Sequence, residues 1–450
     1  MGAPSRRLAT LVVVTALGCA TGGGDGEVAG NGTGGDVAGT GGGAGGAPDA
    51  GAPSAADGGS ATFVSLAVPL GAPLDRSRGT TVSTAPPQGW LWYEIAGAVC
   101  RDMSPTGFYV RYTTSDKLLI FLEGGGACIS AGFCSYNPAN VDQILNGDVQ
   151  TALGSVGGAK AGRQQPGCYS GGTPSGIFDV ANTANPFKDW NMIYVPYCTG
   201  DVFFGTRADV MVPGVAAPQQ FVGHRNMQKF VARIVPTFHG SIKRVLLSGS
   251  SAGGFGAALN FSMVQDSFGN GVTVDVLDDS GPPFSDRFMP TCMQKRWRDL
   301  WGFDAALPPD CKECIQPDGG GLVHLADFLL RKHPAAKVAL VSSMQDEIIR
   351  LFYSAGGNDC MSFDMADPVG NFLFTLGTTF PADQYTAGLD DLRGTYAATA
   401  RFATYYLGGS NITFHQHIWR PRFFDSAAGS VPIAQWLTDF LDGRIAQVGP

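Results

Sequence analysis

From about residue 63 onward, short apolar runs rich in β-branched residues alternate with longer stretches of helical or loop character. The clearest runs are KLLIFLEGG (117–125), NMIYVPYC (191–198), RVLLSGS (244–250), TVDVLDDSG (273–281), KVALVSS (337–343) and SNITFHQH (410–417). Near-continuous apolar runs of this kind suit parallel strands covered on both faces. Between the second and third runs, QQFVGHRNMQKFVARIVPTF places Phe221, Phe230, Ile234 and Val235 near helical spacing, which predicts a crossover helix. The pattern predicts an α/β fold: a mostly parallel central sheet, helices on both faces, and long Gly/Pro-rich loops after the strands. Function in open α/β sheets concentrates in such loops.

The first 62 residues break this pattern. MGAPSRRLATLVVVTALGC sets two arginines before a short apolar run, Leu8 to Leu17, the form of a secretory signal over residues 1–19. Its ALGC end is similar to a bacterial lipobox, so Cys19 is the expected lipidated N-terminus. Residues 20–62 are mostly Gly, Ala, Asp and Ser and cannot bury enough apolar surface to order themselves, so a flexible tether is expected there. Residues 63–450 are then one catalytic domain, exported and displayed as a bacterial lipoprotein at the outer membrane or cell surface, or otherwise secreted. The membrane is a partner only through that lipid.

Composition narrows the partners. With a formal net charge of −8 over 450 residues, the chain has no basic stripe for a phosphate backbone, which argues against nucleic acid. Nine cysteines follow Cys19, and export makes disulfides their expected state, with Cys128 and Cys134 closing a short loop and at least one thiol left over. CKEC at 311–314 lacks a second C-x-x-C, so a structural bridge is favoured over a zinc half-site.

The chemistry is concentrated in RVLLSGSSAGGFGA. Gly249-Ser250-Ser251-Ala252-Gly253 fits G-x-S-x-G, with a strand before it and a small-residue helix start after it. A nucleophile elbow needs small flanking residues because the serine sits on a strained turn, so Ser251 is the expected nucleophile and Ser250 its neighbour. A Gly/Ser-rich phosphate loop would need the lysine of a P-loop, which is missing. An elbow also requires an acid, a histidine and an oxyanion hole, in chain order Ser, Asp, His. Asp346 follows a later strand, ahead of Asp278 and Asp279 as the expected acid. His417 and His415 follow the next strand, whereas His224, His239, His324 and His333 are read as surface or helix residues. Gly124, Gly125 and Gly126 allow close backbone approach to a substrate oxygen, and the Ala252 N–H adds a second donor. Glu123 is expected to anchor that glycine loop. An H-x-H metal pair at 415 and 417 lacks an evident third ligand. Neither metal nor organic cofactor is expected.

These segments together resemble the pectin acetylesterase family, which also contains the animal carboxylesterase Notum. CRDMSPTGFYVRY, FLEGGGAC, DWNMIYVPYCTGDVFFG, LLSGSSAGGFGA and DDSGPPF match the family's segments in order, over roughly residues 88–420. The resemblance implies an α/β-hydrolase fold and hydrolysis of carboxylic esters. It implies Ser251, Asp346 and His417 or His415 as the triad, with Gly125, Gly126 and Ala252 as oxyanion donors. His417 is favoured because it lies further past the strand; many members carry cysteine where Ser250 stands. The expected activity is deacetylation of an O-acetylated polysaccharide through an acyl-enzyme. The rival expectations are an esterase, lipase or polyester depolymerase acting on another ester, and a non-catalytic carbohydrate binder with Trp90, Trp92, Trp297, Trp301 or Trp419 stacking on sugars.

Overall fold

Five of the six apolar runs pair into one ten-stranded sheet. The computed structural model describes residues 63–81, 89–141, 168–169, 173–377, 380–396, 399–409 and 412–450; the signal, Cys19 and the tether expected over 1–62 lie outside the described residues. The strands are β1 (Thr80–Thr81), β2 (Trp90–Val99), β3 (Pro105–Arg111), β4 (Lys117–Leu122), β5 (Asn191–Val195), β6 (Arg244–Ser250), β7 (Thr273–Asp279), β8 (Val338–Ser343), β9 (Phe402–Leu407) and β10 (Gln447–Val448). Their spatial order is β1-β2-β3-β5-β4-β6-β7-β8-β9-β10. The first four of these are joined by antiparallel ladders, and every pair from β5 onward is parallel. This is the mostly parallel sheet that the pattern predicts, and it suits the α/β-hydrolase fold that the resemblance implies.

The alternation of side chains explains why the runs are apolar throughout. On β6, Val245 and Leu247 enter one core while Leu246 enters the other, across the sheet. After the short helix α1 (Ala131–Tyr136), helices α2 (Gly223–Phe238) and α3 (Ala252–Phe268) cover the first face, with Phe230, Ile234 and Val235 buried as the helical spacing requires. Trp436 and Phe440, from the helix Ile433–Leu441, help to cover the second.

One predicted strand is displaced. Residues 412–417 are irregular; the strand lies earlier, at FATYYL, where Val338↔Phe402 through Ser343↔Leu407 form a complete parallel ladder. Gly408 and Gly409, the latter with φ +133°, end it, so ITFHQH lies beyond the strand as a loop rather than in it. The antiparallel strands β2 and β3 had no prediction.

Among the described residues, four disulfides join Cys100–Cys198, Cys128–Cys134, Cys292–Cys360 and Cys311–Cys314. The expected short loop is closed, and CKEC forms a bridge within itself.

Candidate active site

The elbow follows from close packing of glycines. A Cβ on Gly253 would lie 2.0 Å from the Leu122 carbonyl oxygen of β4, and one on Gly249 would lie 2.2 Å from the Gly253 oxygen. With only hydrogens there, β6 turns into α3 within a single residue, Ser251, held at φ +59°, ψ −122°. A non-glycine residue in this region carries strain of about 1–3 kcal/mol, which the surrounding backbone must hold. It does so in part through the Ser251 N–H, which donates to the Asp279 carbonyl at 2.7 Å. Ser251 is thereby set at the N-terminus of the seventeen-residue α3, whose dipole favours negative charge there.

The expected acid and one of the two candidate histidines meet. Asp346, at the end of β8, caps the helix α4 (Glu347–Ser354): its Oδ1 accepts from the Ile348 and Ile349 N–H groups at 3.0 and 2.9 Å. Its other oxygen, Oδ2, lies 2.8 Å from His415 Nδ1. A proton on Nδ1 is fixed by that contact, which leaves Nε2 as the basic nitrogen. The Glu347 N–H donates to the Thr413 carbonyl at 3.2 Å, holding the histidine loop against the acid.

The contact with Asp346 thus falls to His415, the alternative, and not to the favoured His417. In an extended strand, residues two apart share one face, but Gln416 has φ +65° and breaks that alternation. His417 turns into the interior, fully buried, with Nε2 3.2 Å from the Ser343 hydroxyl and Nδ1 unpartnered. Burial pushes its imidazole down to about 4, against the pull of Asp279. His415 keeps its contact with Asp346. His224 stands on α2 but is buried, bonded to Asn260 Oδ1 at 2.9 Å and pushed by burial to about 4.

Asp279 does different work from an acid that orients an imidazole. Its carboxylate accepts from the Ser250 hydroxyl at 2.7 Å, from the His417 N–H at 2.8 Å and from the Ile418 N–H at 3.1 Å. The neighbouring Ser280 hydroxyl accepts from the Gln416 N–H at 3.1 Å. One carboxylate thus ties the elbow to the histidine loop. Asp278 beside it is buried, and burial first, then the charge of Asp279, push it well above the usual carboxylate range.

The glycine loop after β4 completes the site. A Cβ on Gly124 would sit 2.4 Å from Gln416 Nε2 and 3.1 Å from Ser251 Cβ, so the histidine loop, the elbow and the glycines converge there. Asn137 Nδ2 donates to the Gly125 carbonyl at 2.7 Å. Across a trans peptide this aims the Gly126 N–H the opposite way. Among the described residues, the N–H groups of Gly125, Gly126 and Ala252 meet no acceptor, as donors reserved for an oxyanion would not. Glu123 anchors the loop by accepting from the Tyr197 N–H at 2.9 Å, and burial raises it to about 6. The Ser251 hydroxyl and His415 are not directly hydrogen-bonded. The sequence reading weighs Asp279 only as a second acid, and it gives Asn137 and Gln416 no role; a glutamine between two histidines is the one visible signal. Trp90, Trp92, Trp297 and Trp301 are buried in the cores and offer no sugar-stacking face.

Comparison with known proteins agrees with this architecture. The pectinacetylesterase family model matches residues 92–319, a span that holds the elbow and the glycine loop and ends before Asp346 and His415. A palmitoleoyl-protein carboxylesterase of Xenopus laevis, notum2, is 29% identical over 235 residues, covering 48% of this chain and 43% of the relative. The Drosophila melanogaster palmitoleoyl-protein carboxylesterase NOTUM is 27% identical over 228 residues, 47% of this chain and 31% of the relative. The chain thus spans less than half the length of these curated relatives. Two crystal forms of the Drosophila Wnt deacylase Notum share the fold, with TM-scores of 0.52 and 0.53 at 18% identity, covering 80% and 79% of this chain and 94% and 95% of theirs.

Proposed function

The chain belongs to the pectinacetylesterase family, and from that premise we propose that it is a serine carboxylesterase with Ser251 as nucleophile, His415 as base and Asp346 as orienting acid. The observation that carries this reading is the 2.8 Å contact of His415 Nδ1 with Asp346 Oδ2, on loops that follow the elbow strand in the sheet.

In the proposed reaction, His415 Nε2 takes the Ser251 proton as the hydroxyl oxygen attacks the ester carbonyl. The carbonyl oxygen becomes an oxyanion and draws on the Gly125, Gly126 and Ala252 N–H groups, reinforced by the α3 dipole. Asp346 stabilises the imidazolium and holds the tautomer. The imidazolium then gives its proton to the leaving alcohol oxygen, which departs and leaves an acyl-serine. Water attacks that ester in turn, activated by the same nitrogen, and releases the carboxylic acid.

The substrate is a carboxylic ester, proposed here as an O-acetylated polysaccharide. The family's name supports an acetyl group, whereas the animal relatives are named for a palmitoleoyl group. Export through residues 1–19 and tethering at Cys19 through residues 20–62 belong to the same proposal; four disulfides support an oxidising compartment. The test is hydrolysis of p-nitrophenyl acetate by the purified chain and by Ser251→Ala, followed by acetate release from acetylated pectin, xylan and chitin. Turnover retained by Ser251→Ala would refute the assignment of the nucleophile.

A further inference from the structure

We infer that Phe352 closes the acyl side of this site and restricts it to short acyl groups, of acetyl to butyryl size. The inference rests on the proposed esterase reading and specifies the substrate class for the same site.

The direction of the acyl group follows from the geometry of the tetrahedral intermediate. Its carbon carries four groups: Ser251 Oγ, the oxyanion, the leaving oxygen and the acyl chain. The leaving oxygen must face the histidine that protonates it, so the acyl chain points away from the histidine loop. The glycine loop marks these two sides. At Gly124 a built Cβ would meet Gln416 Nε2 at 2.4 Å, next to His415. At Gly126, the other end of the loop, φ is +75° and a built Cβ would meet Phe352 Cζ at 3.0 Å. An acyl chain leaving the oxyanion site on the Gly126 side therefore runs into the Phe352 ring.

That ring is a supported wall. Phe352 stands on α4, the helix whose N-cap is Asp346, so the residue that orients the base also fixes the start of the helix that carries the wall. Its ring packs on Phe133 with centroids 4.8 Å apart. Phe133 is buried on the short helix Ala131–Tyr136, whose Cys134 is tied to Cys128 just beyond the glycine loop. Moving Phe352 aside for a long chain would disturb this packing. The apolar cavity behind α3, lined by Phe255, Leu259, Met289 and Trp297, has a volume of about 40 Å³. Ligand sites are commonly about 300–1,000 Å³, so that cavity is too small to hold a long chain.

The experiment is a series of p-nitrophenyl esters from acetate to octanoate, measured with the wild type, Phe352→Ala and Phe352→Leu. The expected wild-type profile falls beyond butyrate. In Phe352→Ala the octanoate-to-acetate ratio of kcat/KM should rise by about tenfold or more, since each methylene newly buried is worth roughly fourfold. Phe352→Leu should give a smaller rise, and it keeps the test open if the alanine variant does not fold. Wild-type turnover of octanoate as fast as acetate would overturn the inference and leave the esterase reading standing. So would a ratio that both folded variants leave within about twofold of wild type. Absence of turnover on every ester by the folded wild type would instead overturn the esterase reading, and this inference with it.

Discussion

His415 Nδ1 lies 2.8 Å from Asp346 Oδ2, while His417, two residues on, donates its backbone N–H to Asp279 and turns its ring into the interior. Two histidines in one tetrapeptide thus have separate tasks, and substitution separates them. Asp346→Asn should lower kcat by about 10³–10⁴, because an amide no longer selects the tautomer that leaves Nε2 basic. Asparagine remains a competent helix cap, so the melting temperature should change little. His415→Ala should abolish turnover, whereas His417→Gln should retain it to within about tenfold. The opposite ranking in steady-state kinetics would reinstate His417 as the base.

The buried His417 also sets a pH dependence of stability. Its imidazole is pushed down to about 4 in the fold, whereas an unfolded histidine titrates near about 6.5. Between those values the unfolded chain binds a proton that the folded chain refuses. The contribution is therefore complete above about pH 6.5 and is lost as the pH falls toward 4, by an order of about 3 kcal/mol at most. Glu123 and Asp201 are both raised to about 6 by burial and act with the opposite sign, gaining stability as the pH falls through 6. The comparison that isolates His417 is wild type against His417→Gln, by calorimetry from about pH 7 to 4.5. The variant should lose less stability on acidification; parallel curves would contradict the assignment.

Asp279 should matter to both folding and rate. Removing its carboxylate leaves the buried His417 and Ile418 N–H groups and the Ser250 hydroxyl without their acceptor, at about 1–3 kcal/mol for each group left unpaired. Asp279→Ala should therefore lower the melting temperature. In the folded fraction it should lower kcat more than it raises KM, because the histidine loop loses its register against the elbow. Active-site titration with a fluorophosphonate corrects for the unfolded fraction; an unchanged kcat per titrated site would confine Asp279 to a structural role.

Gly253→Ala tests the elbow without touching a reacting group. The new methyl would lie 2.0 Å from a backbone oxygen of β4, where no side chain can yield. The expected loss is about 3 kcal/mol or more, since backbone rather than a rotamer must move. Gly271→Ala, at a position with open space around the built Cβ, is the control and should remain near wild type in chemical denaturation.

Much of this chain is determined locally. Continuous apolar runs select buried parallel strands wherever they occur, and β6 spans the predicted residues Arg244–Ser250. Small residues around Ser251 announce an elbow because only they allow a strand to turn directly into a helix, and the steric reason lies in the residues themselves. Asp346 was legible as the residue after a strand, and the glycine loop as three adjacent glycines.

The choice between His415 and His417 was not local. Both are the same side chain at nearly the same distance from Ser251 in sequence, and their spacing reads as one face of a strand. Only the assembled fold puts the strand at Phe402–Leu407, leaves FHQH in a loop, and lets Asp279 draw in the His417 and Ile418 amides. That bond network, between segments 138 and 139 residues apart, sends one imidazole inward and leaves the other on Asp346. The facing of Gly126 and Phe352 has the same origin. A glycine has no side chain to declare what it meets, and the ring opposite arrives from a helix more than two hundred residues later. Sequence determined which chemical groups are present and which turns they can make; long-range packing decided which of them touch.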